Sequence, residues 1–130
     1  MIGMDSSILD TVKKAIGVDP EETHFDPDIV MHINAMFAVL NQIGCGPEEG
    51  FIIEDSSSTW NDYIENNKLL NLVPSYMSLQ VKLLFDPPSS SFVFESYRKT
   101  IDMLESRINY VVDHPEPIPP VDTEGDENSK

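Results

Sequence analysis

Three histidines, one cysteine and several adjacent carboxylates are the residues of this 130-residue chain with the most obvious chemical potential. Metal binding or acid–base catalysis would require such groups to converge at fixed spacing. His24, His32 and His114 are scattered, and none stands at helical spacing from another histidine. His32 follows Asp28 by four residues, which reads as a surface contact rather than half of a metal site. The pairs Glu21-Glu22, Glu48-Glu49 and Glu54-Asp55 fall in polar loops, whereas paired-carboxylate catalysis needs two acids in contrasting environments within a cleft. Residues 122–127 lack the alternating ligand order of a calcium loop. There is no glycine-rich phosphate loop, HExxH, GxSxG or Cys/His cluster. Cys45 is the sole cysteine, so no internal disulfide or cysteine-based metal site is expected. Placed between two glycines at a helix end, it reads as a small buried filler. No catalytic, cofactor or metal site is expected, and the chain is not expected to be an enzyme. Trp60 and Tyr63 are either a binding hot spot, since such aromatics dominate interfaces, or ordinary core.

The elements that would position these residues are helical. The clearest runs over 26–47, where Ile29, Ile33, Met36, Phe37, Leu40 and Ile43 recur at three- and four-residue steps. Val30, Ala35, Ala38 and Val39 widen that stripe, so most of the helix is expected to be buried. Asp26 is the expected N-cap, with Pro27 at the first helical position. Gly44, Gly46 and Pro47 provide the stop. Phe25 is placed to staple onto Val30. Residues 6–18 predict an opening helix capped by Ser6 or Ser7, with Ile8, Leu9, Val12 and Ile16 inward and Lys13 and Lys14 outward. Residues 50–55 predict an extended loop whose Phe51 and Ile53 plug a hydrophobic gap. Thr59 caps a short helix over 60–66, which Asn66-Asn67 breaks. The next helix is expected to start near Val73, with Pro74 in its first turn, and to stop at Asp86-Pro87-Pro88. A last helix over about 92–112 carries Phe94, Tyr97, Ile101, Leu104, Ile108 and Val111 on one stripe. It should form an antiparallel hairpin with its predecessor.

Together these readings predict an all-α domain: a small bundle of four to five helices over 1–112, followed by an extended proline-rich acidic arm over 113–130. Little of that arm can be buried, and its only aliphatic residues are Ile118 and Val121. It reads either as a solubilising tail or as an arm that docks on a partner through those two side chains. The formal net charge of −15 excludes a protein that grips nucleic acid through clustered Lys and Arg, and one that binds an anionic membrane surface. The acidity either keeps the chain soluble or makes a surface that must not stick to DNA passing nearby. No apolar run is long enough to span a membrane. The first residues have no signal-peptide pattern, so a reducing cytoplasm is the expected compartment.

The sequence resembles the head–tail connector (adaptor) proteins of long-tailed double-stranded DNA phages. The resemblance is carried by ILDTVKKAIGV (8–18), FDPDIVMHINAMFAVLNQIGCGP (25–47), GFIIED (50–55), TWNDYI (59–64) and YMSLQVKLLFDPPSSSFVFESYRKTIDMLESRINY (76–110). It implies a non-enzymatic virion component, assembled in the host cytoplasm and located in the neck at the head–tail interface. Such connectors form a homo-oligomeric ring, usually of twelve copies, beneath the portal protein, with a head-completion or stopper protein on the other side. DNA passes through the channel without sequence-specific binding. Phe51, Ile53, Trp60, Tyr63, Ile118 and Val121 are the expected protein-interface residues. The rival reading is a small acidic regulator or inhibitor that mimics DNA.

Overall fold

The computed structural model describes residues 6–114. Five helices follow one another: α1 (Ile8–Ala15), α2 (Asp26–Gln42), α3 (Trp60–Tyr63), α4 (Asn67–Phe85) and α5 (Ser91–Asp113). Among the described residues there is no strand, only an isolated antiparallel bridge between Ser7 and Thr59. The all-α bundle expected from apolar periodicity is what the chain adopts. α5 runs through Asp113, the first residue assigned to the arm, and residues 115–130, with Ile118 and Val121, lie outside the described residues.

α4 is the hub. It packs against α5 most extensively, and then against α2 and α1. Leu69, Val73, Tyr76, Met77 and Val81 line its buried side, at spacings that keep one face inward over about three turns. The α4–α5 hairpin forms as the two prolines dictate. Asp86 closes α4, and Ser90 caps α5 by accepting a hydrogen bond from the Val93 amide. Across the hairpin, the Tyr76 hydroxyl donates to Glu105 Oε1 at 3.2 Å and accepts from Gln80 Nε2.

α4 starts earlier than the sequence reading placed it. Asn66 does not break a helix; its Oδ1 accepts from the amides of Lys68 and Leu69 and starts α4. Pro74 consequently sits inside the helix, where it supplies no N–H for the carbonyl of Leu70. The apolar spacing from Leu69 to Val81 continues across the proline. Burial of that face, Pro74 included, offsets the missing bond.

A second difference concerns Lys13, which points inward. Its side chain is 1% exposed, and its ammonium lies 2.7 Å from Asp26 Oδ1. The same Nζ donates to the carbonyls of Pro20 (2.9 Å) and Glu22 (2.6 Å). One cation thereby fastens α1, the 19–25 loop and the start of α2. Asp26 is therefore not the N-cap of α2. That position belongs to Phe25, which makes no side-chain cap, and the Asp26 carboxylate goes to Lys13 instead. The Phe25 ring packs edge-on against Phe85 at 5.4 Å, tying the loop to the end of α4.

Candidate assembly surfaces

The loop over 50–55 is held by a side chain that imitates a strand partner. Asn34, on α2, accepts from the Ile53 amide at 2.8 Å and donates to the Ile53 carbonyl at 3.0 Å. This satisfies both backbone groups of an extended residue with no neighbouring strand. The clamp sets the alternation of the loop. Ile53 turns into the core, Phe51 is half-buried and Ile52 points to solvent. Phe51 completes a triangle of rings, with centroids 5.1 Å from Phe37 and 5.3 Å from Tyr63, while Phe37 and Tyr63 are 4.6 Å apart. Phe51 and Ile53 thus plug the gap assigned to them.

Tyr63 and Trp60 arrive on α3, a single turn stabilised by a capping box between Thr59 and Asp62. The Trp60 indole donates to Thr11 Oγ1 at 3.2 Å. Its backbone amide reaches the Ser6 carbonyl, and the Ile8 amide reaches Ser58, so α1 and α3 start side by side. The Tyr63 hydroxyl meets Cys45 Sγ at 3.3 Å. Burial pushes both the Tyr63 phenol and the Cys45 thiol to higher pKa, keeping them neutral and poorly nucleophilic. Cys45 is the buried filler its neighbours suggested.

A shallow groove of about 590 Å³ runs between α1 and α4, lined by Ser7, Asp10, Thr11, Lys14, Pro74 and Ser78 among others. Two of its hydroxyls are already engaged. Ser7 Oγ accepts from the Asp10 amide, and Thr11 donates to the Ser7 carbonyl while accepting from Trp60. The groove contains no histidine to activate a serine. Among the described residues, no three of His, Cys, Asp and Glu are grouped where they could hold a metal ion.

Of the expected interface residues, Ile53, Trp60 and Tyr63 are brought together in the chain's own core, with half-buried Phe51 packed against them. Ile53, Trp60 and Tyr63 are all fully or nearly fully buried and have almost no surface to offer a partner in this conformation. Among the described residues, the exposed large apolar side chains are others: Phe25, Met31, Ile52, Leu84, Phe92, Met103 and Tyr110. Ile52 could have been found by alternation, since its neighbours Phe51 and Ile53 both face inward. α2 is also less buried than its width of apolar residues suggested: Met31, Ala35 and Ala38 face solvent.

The family model described as "Phage connector protein" matches residues 8–115, the span that holds all five helices. The chain belongs to the phage connector protein family. This is the family class that the order of elements and the LLFDPP hairpin suggested. No curated protein and no solved structure matches the chain. Membership makes this connector a phage structural protein. Among its described residues, no helix is long and apolar enough to cross a membrane.

Proposed function

We propose that this connector is the repeating subunit of a ring seated beneath the portal in the virion neck, where it extends the DNA channel toward the tail. The observation that carries the reading is unspent apolar surface on a family member that already has a complete core. Met31 is 61% exposed, Ile52 66% and Phe92 80%. A monomer leaves single apolar residues at its surface without consequence. Several on a chain of this size fit burial against further subunits. The formal charge of −15 suits a wall past which duplex slides, because binding DNA through its phosphates requires clustered cations. The head-completion or stopper protein would then dock on the face away from the portal. The acidic arm over 113–130 would reach the portal or a neighbouring subunit, with Ile118 and Val121 as its anchors.

Sedimentation velocity of the full chain, alone and with purified portal, tests this reading. Co-sedimentation with the portal as a multi-copy collar is expected. A monomer that ignores the portal and instead binds a DNA-handling enzyme would replace this reading with a DNA mimic.

A further inference from the structure

We infer that the outer face of α5 receives the acidic face formed by α2 and the 48–55 loop of a second copy, so that identical subunits join head to tail. The inference rests on the ring reading and assigns the surfaces that would close the ring.

α5 has two apolar stripes. Ile101, Leu104 and Ile108 face the core. With about 100° of turn per residue, Phe92, Met103 and Tyr110 fall within about 20° of one another on the opposite side. They are 80%, 47% and 59% exposed. Three large apolar side chains in register along roughly 27 Å of helix form a docking strip rather than scattered surface residues. Lys99 lies within the strip and Arg107 on one flank, while Glu95, Asp102 and Asp113 border the other.

The complementary face is carried by a different helix. α4 packs against both α2 and α5, and α2 and α5 are not a substantial packing pair among the described residues. The solvent side of α2 presents Met31, Ala35 and Ala38. Ile52 joins it, sharing a groove of about 470 Å³ with Ala38, Gln42 and Glu49. Small residues on a helix let a bulky strip approach closely, and the groove gives it depth. The exposed charges around this face are Asp28, Glu48, Glu49, Glu54 and Asp55.

Charge is segregated to match. Residues 15–67 contain eleven Asp and Glu and no Lys or Arg, whereas residues 68–114 contain five of each sign. A strip of nearly balanced charge with Lys99 at its centre can approach an acidic apolar face, whereas two copies of that acidic face would repel one another. Two different faces give a heterologous contact, which forms a ring when its rotation closes and an open filament when it does not.

The full chain is compared with two double variants, Phe92→Asp/Met103→Asp and Met31→Lys/Ile52→Lys. All four positions are exposed, and circular dichroism verifies that each variant keeps its helices. Light scattering after size exclusion reads the mass, with and without portal. The expected result is a multimer for the parent chain and a monomer for each variant alone, with association weakened at least 100-fold. An equimolar mixture of the two variants should give a heterodimer, since each retains the face the other lacks. Variants that still assemble would overturn this interface and leave the ring reading standing. Monomeric variants whose mixture forms no dimer would overturn the head-to-tail arrangement. Variants that form rings but lose portal binding would give the strip to the portal and overturn its assignment to a second copy. A parent chain that stays monomeric with and without portal would remove the ring reading as well.

Discussion

Replacing Lys13 with methionine keeps the aliphatic stem and deletes the charge that fastens α1 to α2. The lysine is 1% exposed and faces Asp26 at 2.7 Å, with Asp26 27% exposed. Removing one member of a buried ion pair costs about 3–5 kcal/mol, because its partner is left uncompensated. Here the stranded carboxylate recovers part of its hydration, and water can reach the Glu22 carbonyl, whose residue is exposed. The expected loss is therefore toward the lower end, about 3 kcal/mol. For a domain of this size that lowers Tm by about 10 °C. Asp26→Asn should cost at least as much, since it strands an ammonium with almost no access to water. The double variant Lys13→Met/Asp26→Asn should be little worse than either single one, with a coupling energy of about 3 kcal/mol. Urea titration followed by circular dichroism measures all three. A Lys13→Met loss below about 1 kcal/mol, or single costs that simply add, would refute the buried clamp.

Three further outcomes follow from the same packing. Gly46 has φ +88°, and an added Cβ would lie 2.6 Å from Tyr63 Cε1; backbone strain and overlap with a buried ring together make Gly46→Ala destabilising by about 3 kcal/mol in the same denaturation assay. Asn34→Ala removes both bonds that hold Ile53, so a loss of about 2 kcal/mol is expected, with faster hydrogen exchange at the Ile53 amide. Alkaline pH should unfold the protein. Burial raises the phenol pKa of Tyr63 and of Tyr76, so each contributes stability that is complete below its unfolded pKa near 10. That stability is lost as pH rises further, because the unfolded phenol ionises before the buried one, at up to about 1.4 kcal/mol per pH unit for each group. Tyr63→Phe should flatten the decline between pH 10 and 12 in thermal melts, and an unchanged slope would contradict the assignment.

Much of the fold was readable because apolar spacing and end signals agreed. The stripes of α2 and α5, the Asp-Pro-Pro stop, the Thr59 cap and the inward Phe51 and Ile53 all follow from local rules. The misreadings occurred where a local rule met a tertiary competitor. Pro74 was read as a helix start because proline favours first turns, yet the Leu69–Val73–Tyr76 spacing runs straight through it. Lys13 was grouped with Lys14, although it stands four residues after Leu9 and so flanks the buried stripe, while Lys14 lies on the far side. Asp26 had the right type for a cap, but Lys13 at 2.7 Å claims its carboxylate. The surfaces proposed for assembly were the least legible. Aromatic residues beside turns drew attention to Trp60 and Tyr63, which the chain uses for its own core. Phe92, Met103 and Tyr110 form their second stripe only when the outer side of α5 is read separately from its inner one.

Electron microscopy of the chain purified together with its portal tests the central claim most directly. A ring of this protein coaxial with the portal, continuing an open axial channel, is the predicted result. Portal particles that carry no additional collar, with the chain left as free monomers, would contradict it.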